Sequence, residues 1–343
     1  MELALEEGLK NRGATDENPS VGCVLVKEGE VLASAVTAEG GRPHAEPQAL
    51  ENAGAAARGA TAYVTLEPCA HHGKTPPCCE AFIAAGVARV VTALEDPDPR
   101  TAGKGHEALR TAGIEVQTGV LGEKARKYLA GFLSRVERGS PYVVLKMAQS
   151  ADGKIAGAPG TQTQITGEEA RVYVHHLRAQ SDAIMIGAET ARVDDPALTC
   201  RLEGLEHRSP IRVIVTADPD SVSDLSMMKT RDEVDVWVMT NADGENILKV
   251  SALPDGGLDL AQGLELLAMR GINQLMVEGG ARLAKSLLMA GLIDEIHAIT
   301  APCTLGEDGV ASPIESIDED VYTLNHTEVL GEDRLNVYVK GGH

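Results

Sequence analysis

One histidine, two cysteines and one glutamate near the start of the sequence have the types and spacing of a hydrolytic metal centre. His44 and Glu46 stand two residues apart, Cys69 follows in a Glu-Pro-Cys segment, and Cys78 comes after eight further residues. One imidazole and two thiolates supply the three ligands of a catalytic zinc site whose fourth position is open to water. Zinc lowers the pKa of that water to about 7, and a neighbouring carboxylate can carry its proton to a leaving amine. The pattern therefore predicts a zinc site in which Glu46 moves a proton.

The spacing alone leaves the third ligand open. Zinc ligands often follow a Cys-x-x-Cys pattern, whereas eight residues separate the two cysteines here. Cys79, His71 and His72 are close enough along the chain to replace Cys78. In a second interpretation His44 caps a helix and the cysteines are incidental. The joint occurrence of all three predicted ligands favours the metal.

Composition excludes several classes of protein. The 343 residues include 31 Lys and Arg against 51 Asp and Glu, a net charge of −20. Proteins that bind nucleic acid or anionic membranes need a basic surface, so neither partner is expected. No apolar run approaches the roughly 18 residues that span a bilayer, and the acidic N-terminus lacks the basic region of a signal peptide. We expect a soluble, cytoplasmic protein.

The six cysteines are too sparse for a disulfide framework. Three of them cluster around the predicted metal centre. The others stand alone in apolar or loop-like surroundings, and we expect them to be buried small hydrophobic residues: Cys23, Cys200 and Cys303.

A Gly-Ser-Pro break at residues 139–141 coincides with a change in charge. Residues 1–139 carry a net charge of −4 and the remainder −16, which predicts two domains, 1–139 and 140–343. Strands and helices are expected to alternate in both, as in α/β folds. The predicted strands are 21–26, 30–35, 62–66, 89–94, 115–118, 142–147, 183–186, 211–215, 234–239, 274–277 and 295–299. The predicted helices are 47–57, 79–85, 106–111, 167–178, 260–269 and 281–289.

A strand that runs into two glycines and then a helix distinguishes the second half. The segment is Leu275-Met276-Val277-Glu278-Gly279-Gly280-Ala281, and no G-x-G-x-x-G fingerprint is present. Free backbone N–H groups at such a turn can bind an anion. The same pattern also serves as a simple tight connection, so both interpretations stay open.

Longer motifs resemble a known enzyme family. His44-Ala45-Glu46 with Pro68-Cys69 is similar to the zinc-dependent cytidine deaminases, and the string from Thr65 to Cys79 resembles the bifunctional riboflavin-biosynthesis deaminase–reductases. The resemblance implies the ligands His44, Cys69 and Cys78, with Glu46 as the proton shuttle. It also implies a cytidine-deaminase-like three-layer α/β/α domain followed by a dihydrofolate-reductase-like α/β domain.

The resemblance continues through the second half, in segments such as 146–156, 177–184, 187–190 and 194–201. It implies that NADPH is bound without a Rossmann motif, by Ala148, Gln164, Thr190, Asp194, Gly280, Ala281, Arg282, Leu283, Ala284, Lys285 and Ser286. It places the ribose phosphate of the substrate against Gln162, Arg178, Leu198, Arg201 and Glu278. The sequence departs from the family at two positions: relatives often have an aromatic residue at Gln164 and a serine near Gln162.

These observations together predict a bifunctional enzyme of riboflavin biosynthesis that uses Zn²⁺ and NADPH. It would deaminate a phosphorylated diaminopyrimidine and then reduce the ribosyl group to ribityl, and we expect a homo-oligomer. One alternative is a monofunctional deaminase with a degenerate C-terminal module, which the presence of Lys154, Asp194, Arg201 and Glu278 opposes. Another is a structural zinc protein, which has no need of Glu46.

Overall fold

Contacts within the chain divide it into two compact units. The computed structural model describes residues 1–73, 76–160, 163–314 and 317–341. The first unit is Met1–Gly139 and the second is Ser140–His343. Strands alternate with helices in each unit, which confirms the predicted α/β class.

The described residues of the first unit form one five-stranded sheet with the order β2-β1-β3-β4-β5. β1 is antiparallel to β2 and β3, whereas β3, β4 and β5 are parallel. The strands are β1 (Gly22–Lys27), β2 (Glu30–Val36), β3 (Thr61–Val64), β4 (Arg89–Thr92) and β5 (Glu115–Gln117). The helices are α1 (Glu2–Leu9), α2 (Ala45–Ala53), α3 (Cys78–Ala85), α4 (Lys104–Thr111), α5 (Gly122–Tyr128) and α6 (Ala130–Arg138).

The described residues of the second unit form a nine-stranded sheet with the order β11-β10-β9-β8-β12-β6-β13-β16-β15. Its strands are β6 (Tyr142–Ser150), β8 (Ala183–Gly187), β9 (Ile211–Val215), β10 (Val236–Thr240), β11 (Ile247–Lys249), β12 (Gln274–Glu278), β13 (Glu295–Ala301), β15 (Tyr322–Leu330) and β16 (Asp333–Lys340). A separate pair joins β7 (Lys154–Ala156) to β14 (Val310–Ala311). The helices are α7 (Glu168–Ala179), α8 (Ala188–Asp194), α9 (Ser226–Lys229), α10 (Leu260–Met269) and α11 (Ala281–Met289).

The central strands of this sheet position the second candidate site. β6, β8, β9 and β12 are parallel neighbours, so their carboxyl ends lie at one edge. β8 and β12 are almost entirely buried, as their continuous apolar sequences require in a sheet covered on both faces. α10 and α11 pack on the sheet through Leu264, Leu267, Leu283 and Leu287.

Several predicted element bounds are wrong by one to four residues. The helix predicted for 47–57 begins at Ala45 and ends at Ala53, followed by a 3-10 turn. The helices predicted from 79 and 106 begin at Cys78 and Lys104. The start of α4 has a physical reason: the carboxylate of Glu67 accepts the N–H groups of Gly103 and His106, and nothing in the local sequence reveals this distant partner.

Gly22 allows α1 to cross directly over β1. A Cβ atom at this position would lie 1.8 Å from the carbonyl oxygen of Ala4 and 2.7 Å from the backbone nitrogen of Gly8. Both obstacles are helix backbone, which cannot rotate away as a side chain can. The contact therefore requires glycine.

The Gly22→Ala variant is expected to lose about 1–3 kcal/mol in the free energy of unfolding, as overpacked sites do. Denaturant unfolding measures the loss. Gly157→Ala is the control, because among the described residues a Cβ there would meet nothing closer than the Thr163 hydroxyl at 3.6 Å. Equal stability of the two variants would contradict the proposed steric role of Gly22.

Candidate functional site

Three separate segments of the first unit bring His44, Cys69 and Cys78 together. His44 immediately precedes α2, Cys69 lies in the loop after β3, and Cys78 is the first residue of α3. His44 Nδ1 lies 3.3 Å from Cys78 Sγ and 3.7 Å from Cys69 Sγ. Although His44 occupies the N-cap position, its side chain makes no capping hydrogen bond. Its ring contacts the two thiols, which is the arrangement expected of metal ligands.

The competing ligands have other surroundings. Cys79 is buried in the apolar core of the unit, His71 Nδ1 lies 3.3 Å from the Thr101 hydroxyl, and His72 is exposed beside Glu80. The cluster of potential ligand atoms within 4.8 Å of one another contains none of these three. The geometry therefore favours Cys78 as the third member.

The three residues fit a tetrahedral zinc ion. Zn–N and Zn–S bonds of about 2.0 and 2.3 Å at tetrahedral angles separate N and S by about 3.5 Å, and the observed separations bracket this value. The pKa of Cys69 falls to about 4, chiefly because the Cys78 thiol donates a hydrogen bond to it. The same shared proton raises the pKa of Cys78 above its ordinary value. Two sulfurs that share one proton suit a divalent cation, which would replace that proton.

Glu46 supplies a carboxylate beside the triad. It lies in the first turn of α2, is 3% exposed, and its carboxylate lies near the Cys78 thiol. Burial raises the pKa of Glu46, an effect that the neighbouring His44 opposes. A buried carboxylate that is not needed as a ligand can exchange a proton with a reacting group.

A second group of side chains with potential ligand atoms close together consists of Glu67, Glu95 and His106. The Glu67 carboxylate accepts backbone N–H groups from Asp96, Gly103 and His106 at 3.2, 2.9 and 3.0 Å. These three bonds use the carboxylate oxygens to clamp the segment that begins α4. Glu67 thus has a structural role that was missed from the sequence, where it is only the residue before Pro68-Cys69.

A cleft of about 1890 Å³ lies at the carboxyl ends of β6, β8, β9 and β12 in the second unit. Ligands commonly bind at this edge in open α/β sheets. Most residues predicted to face cofactor or substrate border this cleft: Ala148, Gln164, Arg178, Thr190, Asp194, Leu198, Arg201, Glu278, Gly280, Ala281, Arg282, Leu283 and Ser286.

The remaining three predicted residues are placed differently. Ala284 is completely buried in the core, and Lys285 is exposed outside the cleft lining. Side chains three and four positions apart share a helix face, so α11 cannot turn every residue from 280 to 286 toward one cleft. Gln162 lies outside the residues that the structure describes.

The two-glycine turn at the start of α11 is a fixed feature of the cleft. Gly279 and Gly280 have φ angles of 77° and 76°, a region that side chains rarely adopt. A Cβ on Gly280 would also lie 2.8 Å from the Thr190 hydroxyl oxygen. Among the described residues, no hydrogen bond uses the first N–H groups of α11, which can therefore face an anion. With the large cleft, this arrangement fits a phosphorylated nucleotide.

Glu278 is the centre of an ion-pair network in the cleft. It lies 3.3 Å from Lys146 and 2.8 Å from the Arg178 guanidinium. Burial alone would raise the pKa of Glu278, but Lys146 and Arg178 outweigh it and hold the pKa at about 2. Arg178 also donates to the carbonyl of Thr199 at 3.1 Å. The sequence did not single out Lys146, whose place beside Glu278 depends on the parallel pairing of β6 with β12.

The segment after α8 carries Leu198 and Arg201 into the cleft lining. Leu198 is buried and has a φ of 55°. Arg201 is exposed, and within the part of the chain that the structure describes no side-chain ion pair or hydrogen bond involves its guanidinium. By contrast Arg192, which also borders the cleft, donates to the Ser221 hydroxyl at 3.1 Å. Arg201 thus offers an uncompensated positive charge.

The isolated cysteines follow the prediction in two cases. Cys23 and Cys200 are buried. The prediction is wrong for Cys303, which is exposed in the loop after β13. Loop position rather than local apolar sequence decides its exposure.

Two family models match this chain. The model described as "RibD C-terminal domain" matches residues 141–335, and "Cytidine and deoxycytidylate deaminase zinc-binding region" matches residues 1–94. The riboflavin biosynthesis protein RibD of Escherichia coli is 42% identical over 324 residues, which cover 90% of this chain and 88% of that protein. The RibD protein of Aquifex aeolicus is 40% identical over 341 residues, 97% of this chain and 95% of that protein.

Solved structures of similar proteins share the fold over nearly the whole chain. RibD of Acinetobacter baumannii is 35% identical with a TM-score of 0.90, covering 99% of this chain and 98% of that one. A diaminohydroxyphosphoribosylaminopyrimidine deaminase/5-amino-6-(5-phosphoribosylamino)uracil reductase from Thermotoga maritima is 33% identical with a TM-score of 0.87, covering 99% and 97%. Among the described residues, no helix has the length and apolar character needed to cross a membrane.

Proposed function

The chain belongs to the RibD family of bifunctional riboflavin-biosynthesis deaminase–reductases, and from this premise we propose which reaction each unit performs. The protein is a deaminase and a reductase of riboflavin biosynthesis. We assign the deaminase to residues 1–139 and the reductase to residues 140–343. The substrate is 2,5-diamino-6-ribosylamino-4(3H)-pyrimidinone 5′-phosphate, which is deaminated before its ribosyl group is reduced with NADPH to ribityl. That the enzyme is a homo-oligomer and lies in the cytoplasm stays a prediction.

One observation carries the deaminase assignment: Glu46 is buried against a cluster of one imidazole and two thiols. His44, Cys69 and Cys78 would hold zinc, which when bound supplies a water with a pKa of about 7. The Glu46 carboxylate accepts a proton on an Oε atom and delivers it to the departing amino nitrogen, so that ammonia leaves as a neutral molecule. A structural zinc site would need no such carboxylate.

The cleft of the second unit supports the reductase assignment. Thr190 and the Gly279–Gly280 turn would hold the phosphates of NADPH, which when bound supplies a hydride. Lys146 Nζ donates a hydrogen bond to Glu278 at 3.3 Å within the same cleft and can give a proton to the reduced ribose. Because Glu278 already compensates Arg178, we assign the substrate phosphate to Arg201, which borders the same cleft.

Incubation of the purified protein with the phosphorylated diaminopyrimidine tests the proposed function. Without nucleotide we expect one ammonia released per substrate, and on addition of NADPH an equal amount of nucleotide oxidised. Nucleotide oxidation without any ammonia release would overturn the assignment of the first unit. Ammonia release without oxidation would overturn that of the second.

The Arg201→Ala variant is expected to raise the reductase KM for the phosphorylated substrate by about ten- to a hundredfold. A charge-assisted contact to phosphate contributes roughly 1.5–3 kcal/mol, and 1.4 kcal/mol corresponds to a factor of ten. Steady-state kinetics with the deaminated substrate measure the change, while zinc content and ammonia release should stay at wild-type values. Unchanged reductase kinetics would show that Arg201 is a surface residue with no role in binding the phosphate.

A further inference from the structure

The segment that carries Arg201 is tied to α7 by three successive contacts. Arg178 on α7 donates to the carbonyl of Thr199 at 3.1 Å. The Cys200 thiol lies 3.6 Å from the carbonyl of His175, and the backbone N–H of Arg201 donates to His175 Nδ1 at 3.2 Å. In the third contact, a side chain bonds directly to the backbone of Arg201. The position of the arginine backbone therefore depends on an imidazole.

His175 faces the cleft rather than the apolar core. It shares one face of α7 with Arg171, Val174 and Arg178, at intervals of three and four residues, and all four border the cleft. Because Nδ1 accepts a hydrogen bond, the ring proton must reside on Nε2. Burial lowers the pKa of His175, and the nearby Arg178 and Arg201 lower it further, so the neutral, accepting form is favoured.

The segment needs external contacts to hold its shape. Leu198, three residues before Arg201, adopts a φ of 55°, which costs free energy for a side chain of this size. The Arg201 side chain is long and exposed, so its guanidinium samples many positions, and any movement of its backbone adds to them. A hydrogen bond at the Arg201 N–H removes part of this freedom before a ligand binds.

We propose that His175 is a positioning residue of the reductase, which fixes the Arg201 backbone against α7 so that the guanidinium meets the substrate phosphate. The inference rests on the proposed role of Arg201. His175 itself need not touch substrate or cofactor. Its loss should weaken binding of the phosphorylated substrate and leave hydride transfer from the bound state unchanged.

Three substitutions of His175 separate this role from simple packing. The Oδ1 of asparagine is bonded to Cγ as Nδ1 is in histidine, so His175→Asn can keep the acceptor in place. His175→Leu removes the acceptor, and His175→Gln moves it one bond further out. His176→Leu is the matched control, because His176 is the next residue of α7, is exposed and does not border the cleft.

Reductase kinetics with the deaminated substrate give the readout, and thermal unfolding checks that each variant is folded. We expect His175→Leu and His175→Gln to raise KM about five- to tenfold at constant kcat, as loss of one hydrogen bond implies. His175→Asn and His176→Leu should stay within about twofold of wild type. If His175→Leu does not fold, the contrast between the asparagine and glutamine variants still decides the matter. Equal KM values in those two would overturn the proposal.

A double-mutant cycle with Arg201→Ala tests the connection itself. If His175 acts only through Arg201, the double variant with His175→Leu has the KM of Arg201→Ala alone. Independent, multiplying effects would show that His175 acts by another route and overturn the proposal. If Arg201→Ala raises KM and His175→Leu does not, this inference fails and the proposed function stands. If Arg201→Ala leaves KM unchanged in an enzyme that reduces its substrate, the phosphate role of Arg201 fails, and the inference fails with it.

Discussion

The Glu46→Gln variant is expected to release ammonia about 10²–10⁴-fold more slowly than the wild type, the range typical of a lost general acid–base group. Glutamine has the size of glutamate, so the buried site beside Cys78 remains filled. It cannot accept and return a proton as a carboxylate does. The change therefore removes the chemical function and leaves the shape of the site.

A coupled assay of ammonia release and an elemental analysis of zinc together distinguish loss of proton transfer from loss of the metal. The zinc content of Glu46→Gln should equal that of wild type, because the three predicted ligands are intact. Glu51→Gln makes the same chemical change on an exposed residue of α2 and should keep full activity. Undiminished deamination in Glu46→Gln would exclude Glu46 as the proton carrier.

The Cys69→Ser variant is expected to lose both its zinc and its deaminase activity. A serine hydroxyl is a poor replacement for the thiolate that Zn²⁺ binds, and Cys69 is the sulfur whose pKa already lies at about 4. The zinc content measured by elemental analysis should fall from one zinc per chain to a small fraction of that. Reduction of a deaminated substrate should persist, since its proposed residues all belong to the second unit.

Cys78 and Cys79 provide a matched pair for the same experiment. They are neighbours at the start of α3 and both are buried, but only Cys78 lies beside His44. We expect Cys78→Ser to lose zinc and Cys79→Ser to retain it. The reverse result would show that Cys79, and not Cys78, is the third zinc ligand.

Local sequence predicted the site better in the first unit than in the second. His44, Glu46 and Cys69 belong to short motifs in which residue type alone limits the chemistry, and their proximity follows from the motif. In the second unit, α11 shows the limit of such inference. A run of seven residues was assigned to the cofactor, but a helix turns Ala284 toward the core while Ser286 borders the cleft.

Elements fixed by distant contacts could not be predicted from local patterns. The hairpin of β15 and β16 was missed because the interior of β15 is exposed at every position, so it lacks the apolar alternation of a half-buried strand. Glu67 was missed for a related reason: its three N–H partners lie 29 to 39 residues away. Lys146 meets Glu278 only when β6 pairs with β12.

The most direct test of two sequential sites is nucleotide oxidation by Glu46→Gln with each of two substrates. We expect NADPH oxidation with the phosphorylated diaminopyrimidine to be slowed as strongly as ammonia release, because the variant produces only slowly the deaminated compound that the second unit reduces. With that deaminated compound supplied, oxidation should proceed at the wild-type rate. Rapid oxidation with the first substrate would show that reduction does not wait for deamination, and failure with both would show that the two units do not work independently. Either result would contradict the account.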